Sequence, residues 1–105
     1  MHFIETPIFT KLVRAHLDDE QYRELQLALI LRPELGRVVP GGGGIRKLRW
    51  AGSGRGKRGG LRFMYFWEPA RETIYFLYLF PKNEQADLTR AQLRVLRKVV
   101  EEEFG

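Results

Sequence analysis

Basic side chains cluster in the middle of the chain, in a pattern that suits the binding of phosphate groups. Eight of the 18 lysine and arginine residues lie between Leu35 and Trp67, a stretch that holds no acidic residue. The other ten basic residues are outnumbered by 13 acidic ones, so the positive excess lies entirely in this segment. Such clusters are the electrostatic signature of a polyanionic partner, although a solvated loop that only aids solubility has the same composition. The eight are Arg37, Arg46, Lys47, Arg49, Arg55, Lys57, Arg58 and Arg62.

The spacing of these residues predicts how some of them are presented. Ile45–Ala51 is predicted to be a strand, in which successive side chains point to opposite faces. Lys47 and Arg49 would then share the open face, while Arg46 would lie on the other side with the core-forming apolar residues. Arg62 is the only charge in the strand-like run Leu61–Trp67. An isolated arginine near the start of an apolar strand is more typical of a binding residue than of one that only aids solubility.

The segment between these two strands, Gly52–Gly60, contains five glycines. Glycine lets the backbone approach a ligand closely, and Arg55, Lys57 and Arg58 supply positive charge. The segment is not a P-loop, because Lys57 is followed by Arg58 rather than Ser or Thr and no helix is predicted after it. We predict a mobile basic flap over phosphate groups.

Other catalytic chemistries fit poorly. The chain has no cysteine and only two histidines, His2 and His16, and its acidic residues lack the spacing of metal ligands. Ser53 has no neighbour that would activate it. We therefore expect no metal and no cofactor. Lysine, arginine, tyrosine and asparagine can still cleave RNA, because the 2′-hydroxyl attacks the adjacent phosphorus and the enzyme must only position it, neutralise charge and move protons. A lysine whose pKa is lowered by neighbouring cations can serve as the base.

Hydrophobic periodicity predicts the elements that position these residues. The N-terminal part reads as a strand, Phe3–Ile8, ended near Pro7, and two helices that form a hairpin, the second running from Asp18 or Asp19 to about Leu31. Residues 35–44 are predicted to be loop. Strands then follow at Ile45–Ala51, Leu61–Trp67 and Thr73–Phe80, the last apolar on both faces and therefore expected at the sheet centre.

A final helix is predicted after Asp87, where Thr89 and Gln92 have the spacing of a capping box. The predicted fold is α+β, with a small antiparallel-type sheet, an N-terminal helical hairpin and a C-terminal helix in one domain over residues 1–105. The sequence shows neither a signal peptide nor a long apolar run, so we expect a cytoplasmic protein that does not contact membranes.

Three stretches together resemble the HigB branch of the RelE/ParE toxin superfamily: Gly44–Trp50, Gly56–Tyr65 and Pro81–Thr89. The resemblance covers nearly the whole chain and implies a toxin that cleaves mRNA at the ribosome. It also implies a cognate antitoxin, HigA-like and carrying a helix-turn-helix domain. The implied partners are mRNA and ribosomal RNA in the ribosomal A site, and operator DNA only through the antitoxin complex.

The resemblance also implies residue roles. Lys47 would act as the base or stabilise the transition state, and Arg62 would bind the scissile phosphate. Arg46, Arg49 and Lys57, with Arg55 and Arg58, would support it or hold ribosomal RNA. The RelE branch often has an arginine and a tyrosine near the chain end, where this chain offers Lys82, Asn83 and Thr89. Lys82 is then the candidate general acid and Tyr65 the alternative, while Asn83 would either orient a reacting group or form a turn with Pro81.

Two other functions stay open at this point. A ParE-like toxin that poisons gyrase would have the same fold, and the paired Lys47 and Arg49 with Arg62 argue against it. A non-catalytic RNA-binding or ribosome-associated module would have the same charge.

Overall fold

The computed structural model describes residues 1–51 and 60–105, which form an α+β fold. Three helices and five strands occur in these two ranges, with one short 3-10 turn at Pro69–Arg71. The helices are α1 (Pro7–His16), α2 (Asp19–Leu31) and α3 (Arg90–Phe104). The strands are β1 (His2–Glu5), β2 (Arg37–Val38), β3 (Ile45–Trp50), β4 (Leu61–Glu68) and β5 (Thr73–Pro81).

The five strands form one mixed sheet in the order β1-β5-β4-β3-β2. Strand β1 runs parallel to β5, whereas the other neighbours are antiparallel, so the predicted antiparallel-type sheet is corrected. A parallel partner needs a long crossover, which a local sequence pattern does not reveal. Strand β2 lies in the stretch predicted to be loop, with Arg37 opposite Lys47. Strand β5 is an interior strand, although β4 occupies the centre.

The N-terminus differs from its predicted boundaries because Pro7 begins helix α1 instead of ending a strand. Proline suits the first helical turn, where its missing N–H has no intrahelical partner to lose. The hydroxyl of Thr6 caps this helix by accepting from the N–H of Phe9 at 3.1 Å, and it donates to the carbonyl of Leu77 at 2.8 Å. The chain therefore starts with a strand followed by two helices.

Each face of the sheet has its own core. On one face, Phe9, Leu25 and Leu29 from α1 and α2 pack with sheet residues that include Phe63 and Phe76. On the other, Leu96 and Val100 of α3 pack against sheet residues that include Ile45, Met64 and Leu77. The capping boxes at Asp18–Gln21 and Thr89–Gln92 are confirmed. In the two described ranges, no helix combines the length and apolar character needed to cross a membrane.

Candidate functional site: a cationic pocket on the sheet

Strands β3 and β4 bring the predicted basic residues together on the face that α3 partly covers. In their antiparallel register, Lys47 is opposite Met64 and Arg49 is opposite Arg62. Directly opposed residues share a face, and Met64 belongs to the core under α3. Lys47, Arg49 and Arg62 therefore lie beside the α3 core, at the end of the sheet where β4 begins.

A pocket with a volume of about 500 Å³ opens at this position. Among the described residues that line it, four are basic and three are apolar. Guanidinium and ammonium groups suit phosphate oxygens, and the apolar surface suits bases or sugars. The lining residues are Leu35, Arg37, Lys47, Leu48, Arg49, Trp50 and Arg62.

Arg62 is buried, with only 7% of its surface exposed. Its strand lies between β3 and β5, where Arg49 and Phe80 are its opposite neighbours. Burial, and after it the charge of Arg49, lowers the pKa of the Arg62 guanidinium, while the Asp87 carboxylate acts in the opposite sense. Arginine remains charged at neutral pH because its ordinary pKa is above about 12. A buried cation next to a second cation is a typical feature of a functional site.

The ammonium of Lys47 forms an ion pair with Asp87, with 3.1 Å between Nζ and Oδ1. The same oxygen accepts the backbone N–H of Leu88 at 2.8 Å. Partial burial acts to raise the pKa of Asp87, but the hydrogen bonds from Leu88 and Lys47 and the charges of Lys47 and Arg62 together hold it below its ordinary value. Asp87 is thus ionised and faces two of the predicted site residues.

Asp87 is held in place by the start of helix α3. The amide of Gln85 donates to the carbonyl of Asp87 at 2.7 Å and to the side-chain oxygen of Gln92 at 2.5 Å. Gln92 in turn completes the capping box with Thr89. The sequence reasoning missed Asp87 as a site residue, although it lies in the stretch Pro81–Thr89 that carries the family resemblance. Its partner Lys47 is 40 positions away, so no local pattern indicated the contact.

Lys82 and Asn83 follow the end of β5 and are exposed. The N–H of Lys82 donates to the carbonyl of Gly60 at 3.3 Å, which places its backbone at the same end of the sheet as Arg62. The carbonyl of Pro81 accepts from the N–H groups of Glu84 and Gln85, so Asn83 lies within a turn that Pro81 begins. Neither Lys82 nor Asn83 lines the pocket.

Arg46 and Tyr65 lie on the opposite face of the sheet, where they hold the loop after α2. The Arg46 guanidinium donates to the carbonyl of Gly36 at 2.8 Å and pairs with the Glu34 carboxylate at 3.3 Å. The Tyr65 hydroxyl donates to the carbonyl of Pro33 at 2.7 Å and accepts the N–H of Gly36 at 2.8 Å. Tyr65 is fully buried, and burial raises the pKa of its phenol. The structure does not bring either side chain to the pocket.

The remaining predicted residues, Arg55, Lys57 and Arg58, lie outside the described residues, as does the predicted flap apart from Gly60. In the part of the chain that is described, no three His, Cys, Asp or Glu side chains come together as metal ligands. The indole Nε1 of Trp50, at the pocket wall, is buried and has no hydrogen-bond partner within residues 1–51 and 60–105.

Fold and charge together define a small α+β protein with a cationic pocket on a mixed sheet. The family model described as the RelE toxin of the RelE/RelB toxin–antitoxin system matches residues 1–104. The chain belongs to this RelE toxin family, and membership implies a cognate antitoxin as its partner. The resemblance to the RelE/ParE superfamily is thereby confirmed.

Proposed function

We propose that this toxin is a metal-independent endoribonuclease that cleaves mRNA in the ribosomal A site and so stops protein synthesis. The observation that carries the proposal is the buried Arg62 beside Arg49 and close to Lys47, in a pocket whose lining residues, within the described ranges, are basic or apolar. A pocket of this charge favours a phosphate, and the apolar wall that includes Trp50 offers a surface for a base.

Cleavage requires the 2′-oxygen to attack the adjacent phosphorus and the bond to the 5′-oxygen to break. Arg62 would bind the non-bridging oxygens of the scissile phosphate, because its position is fixed by the sheet. Lys47 is a hydrogen-bond donor in its ion pair, so stabilising the developing negative charge suits it better than acting as the base. Arg49, which is exposed, would add positive charge at the edge of the pocket.

Proton transfer completes the reaction. Asp87 orients Lys47 and is the candidate acceptor of the 2′-hydroxyl proton, while Lys82 is the candidate donor to the leaving 5′-oxygen. A carboxylate whose pKa is held below its ordinary value is a weak base at neutral pH. Such a site gains most from a substrate held in a reactive geometry, which supports a requirement for the ribosome.

The remaining assignments follow the HigB-like resemblance. The protein would act in the cytoplasm as one domain, contacting mRNA and ribosomal RNA through the pocket and the basic residues Arg55, Lys57 and Arg58. Its antitoxin would carry a helix-turn-helix domain and mediate any contact with operator DNA.

The test compares wild-type toxin with Lys47→Ala and Arg62→Met on mRNA bound to programmed ribosomes and on naked RNA. Arg94→Gln is the matched control, because it removes an exposed positive charge from α3, outside the pocket. We expect the wild type and the control to cut ribosome-bound mRNA and leave naked RNA nearly intact, and both pocket variants to be inactive.

Other outcomes would overturn the proposal. Vigorous cleavage of naked RNA by pure protein would exclude the ribosome requirement. Broken DNA with intact transcripts in arrested cells would indicate a gyrase poison. Ribosome binding without cleavage would indicate a non-catalytic module.

A further inference from the structure

Two side chains of the sheet hold the segment that follows helix α2. Arg46 of β3 and Tyr65 of β4 are directly opposite each other, and both reach this segment. The Tyr65 hydroxyl donates to the carbonyl of Pro33 and accepts the N–H of Gly36, so this buried phenol has both a donor and an acceptor as partners. The Arg46 guanidinium donates to the carbonyl of Gly36 at 2.8 Å and to that of Glu34 at 3.3 Å. We call these four hydrogen bonds the loop clamp.

The residue type at position 36 shows how closely the clamped segment lies against the sheet. A Cβ atom on Gly36 would come within 2.9 Å of a ring carbon of Tyr65 and within 3.0 Å of the carbonyl oxygen of Lys47. The Tyr65 ring is fully buried and has no room to move aside, so a larger residue would push the segment away. Strand β2 adds little to this attachment, because it pairs with β3 at only two positions.

The residues on either side of Gly36 belong to the cationic pocket. Leu35 and Arg37 both line it, whereas the other described lining residues come from β3 and β4. Arg37 is opposite Lys47 in the sheet register, and directly opposed residues share a face. The exposed side chain of Arg37 therefore leaves the sheet on the same side as that of Lys47. The loop clamp thus holds the part of the pocket wall that β3 and β4 do not supply.

Arg37 is too far from Arg62 for both to suit the same phosphate. Their strands are separated by β3, and neighbouring strands lie about 4.8 Å apart, so the two strand axes are about 10 Å apart. Each nucleotide of RNA carries one phosphate, and a strand that is bound at Arg62 brings a second phosphate towards the edge of the pocket. A guanidinium group suits such a phosphate well.

We propose that Arg37 binds the phosphate next to the scissile one, and that Tyr65 and Arg46 are positioning residues that hold Arg37 in place through the loop clamp. This role of Arg37 rests on the proposed RNA cleavage. The neighbouring phosphate does not change during the reaction, so the contact is equally strong in the substrate and in the transition state. A contact of this kind lowers KM and leaves kcat unchanged.

The main test measures kcat and KM separately for cleavage of mRNA on programmed ribosomes. Arg37→Gln should raise KM about tenfold and leave kcat within about twofold of wild type. Arg37→Lys keeps the charge and should recover part of the loss. Arg32→Gln is the matched control, because it removes an exposed arginine just after α2 that does not line the pocket. This control should have wild-type constants.

The loop clamp is tested by removing its hydrogen bonds. Tyr65→Phe loses the two bonds of the hydroxyl and keeps the ring, and Arg46→Met loses the other two. Each variant should raise KM as Arg37→Gln does, after circular dichroism has verified its fold. The double variant of Tyr65→Phe with Arg37→Gln should have a KM no higher than that of Arg37→Gln alone, because Tyr65 acts through Arg37. A purely structural role would lower the amount of active protein and leave KM unchanged.

A second measurement does not depend on cleavage. Fluorescence anisotropy follows the binding of a 2′-O-methyl RNA hexanucleotide, which the toxin cannot cleave, at several salt concentrations. One lost phosphate contact on a single strand reduces the slope of log affinity against log salt by about 0.7. Arg37→Gln should show this reduction, and Arg32→Gln should keep the wild-type slope.

The outcomes separate this role from the proposed function. If Arg37→Gln matches Arg32→Gln in both KM and salt slope, Arg37 does not bind RNA, although cleavage by the wild type would still stand. A reduced kcat with an unchanged KM would instead place Arg37 in the chemical step. Independent effects of Tyr65→Phe and Arg37→Gln would show that Tyr65 does not position Arg37. If the wild type leaves ribosome-bound mRNA intact, the proposed function is wrong, and the salt slope then decides whether Arg37 binds RNA.

Discussion

Arg49 of β3 and Arg62 of β4 are directly opposite each other in the sheet, so two positive charges share one face. Like charges in this position destabilise a strand pair. The charge of Arg49 also contributes to the lowered pKa of the Arg62 guanidinium, after burial. Local costs of this kind are expected where a surface is selected for binding rather than for stability.

Replacing Arg49 should therefore stabilise the protein and weaken the toxin. Arg49→Gln relieves the repulsion and should raise the free energy of unfolding by roughly 0.2–1 kcal/mol, the usual range for a cross-strand pair. Urea unfolding measures the gain, and growth assays measure the loss of toxicity. Arg94→Gln removes one charge without this neighbour and should change neither. Unchanged stability in Arg49→Gln would mean that the two guanidinium groups do not repel each other appreciably.

At Arg62 the choice of substitution matters, because this side chain is buried. Arg62→Met keeps most of the side-chain volume, so we expect the variant to fold, with some loss of stability because the groups that contact the guanidinium lose their partner. Arg62→Ala should be less stable than Arg62→Met, since it also leaves a cavity. Toxicity should be lost in both. Thermal unfolding measures stability separately from toxicity. If Arg62→Met is still toxic, Arg62 does not belong to the functional site.

Asp87 should make toxin stability depend on pH. Its pKa is lower in the folded protein than the ordinary value near 3.9, so its stabilising contribution is complete above that value and disappears as the pH falls through the folded pKa. Asp87→Asn should thus be less stable than wild type at pH 7, with the difference vanishing in strong acid. Urea unfolding across this pH range provides the measurement. A difference between Asp87→Asn and wild type that does not change with pH would contradict this prediction.

Leu77 and Leu31 provide a matched pair for the core. Leu77 is fully buried in β5, so Leu77→Ala should reduce the free energy of unfolding by about 2–5 kcal/mol. Leu31 of α2 is 86% exposed, and Leu31→Ala should cost less than about 0.5 kcal/mol. Chemical denaturation of both variants measures the two losses of unfolding free energy. Equal losses would show that Leu31 packs against the rest of the protein as closely as Leu77 does.

Local sequence patterns, each confined to about ten residues, predicted most of the helices and strands. Alternation supported β3, continuous apolar runs identified β4 and β5, and the capping residues Thr89 and Asp18 located two helix starts. The same alternation placed Arg46 on the face away from Lys47, where the structure has it.

What sequence reasoning missed depends on distant contacts. The parallel pairing of β1, the short strand β2 and the burial of Arg62 each require a partner from another part of the chain. Asp87 contacts Lys47 only because the fold places the start of helix α3 next to strand β3. The exposure of Leu27, Ile30 and Leu31 on α2 was missed because the buried Leu25 and Leu29 alone explain an amphipathic helix.

Because β1 pairs in parallel with β5, a nascent chain can complete the sheet only after β5 has been synthesised. His2 is made early, but it pairs with Thr73, which is added to the chain 71 positions later. Contacts so distant along the chain form late, because a large loop must close before they are gained. Arg62 depends on the same step, since β4 is buried only when β5 lies beside it. A ribosome that synthesises this toxin has therefore passed Pro81, at the end of β5, before a finished pocket can exist.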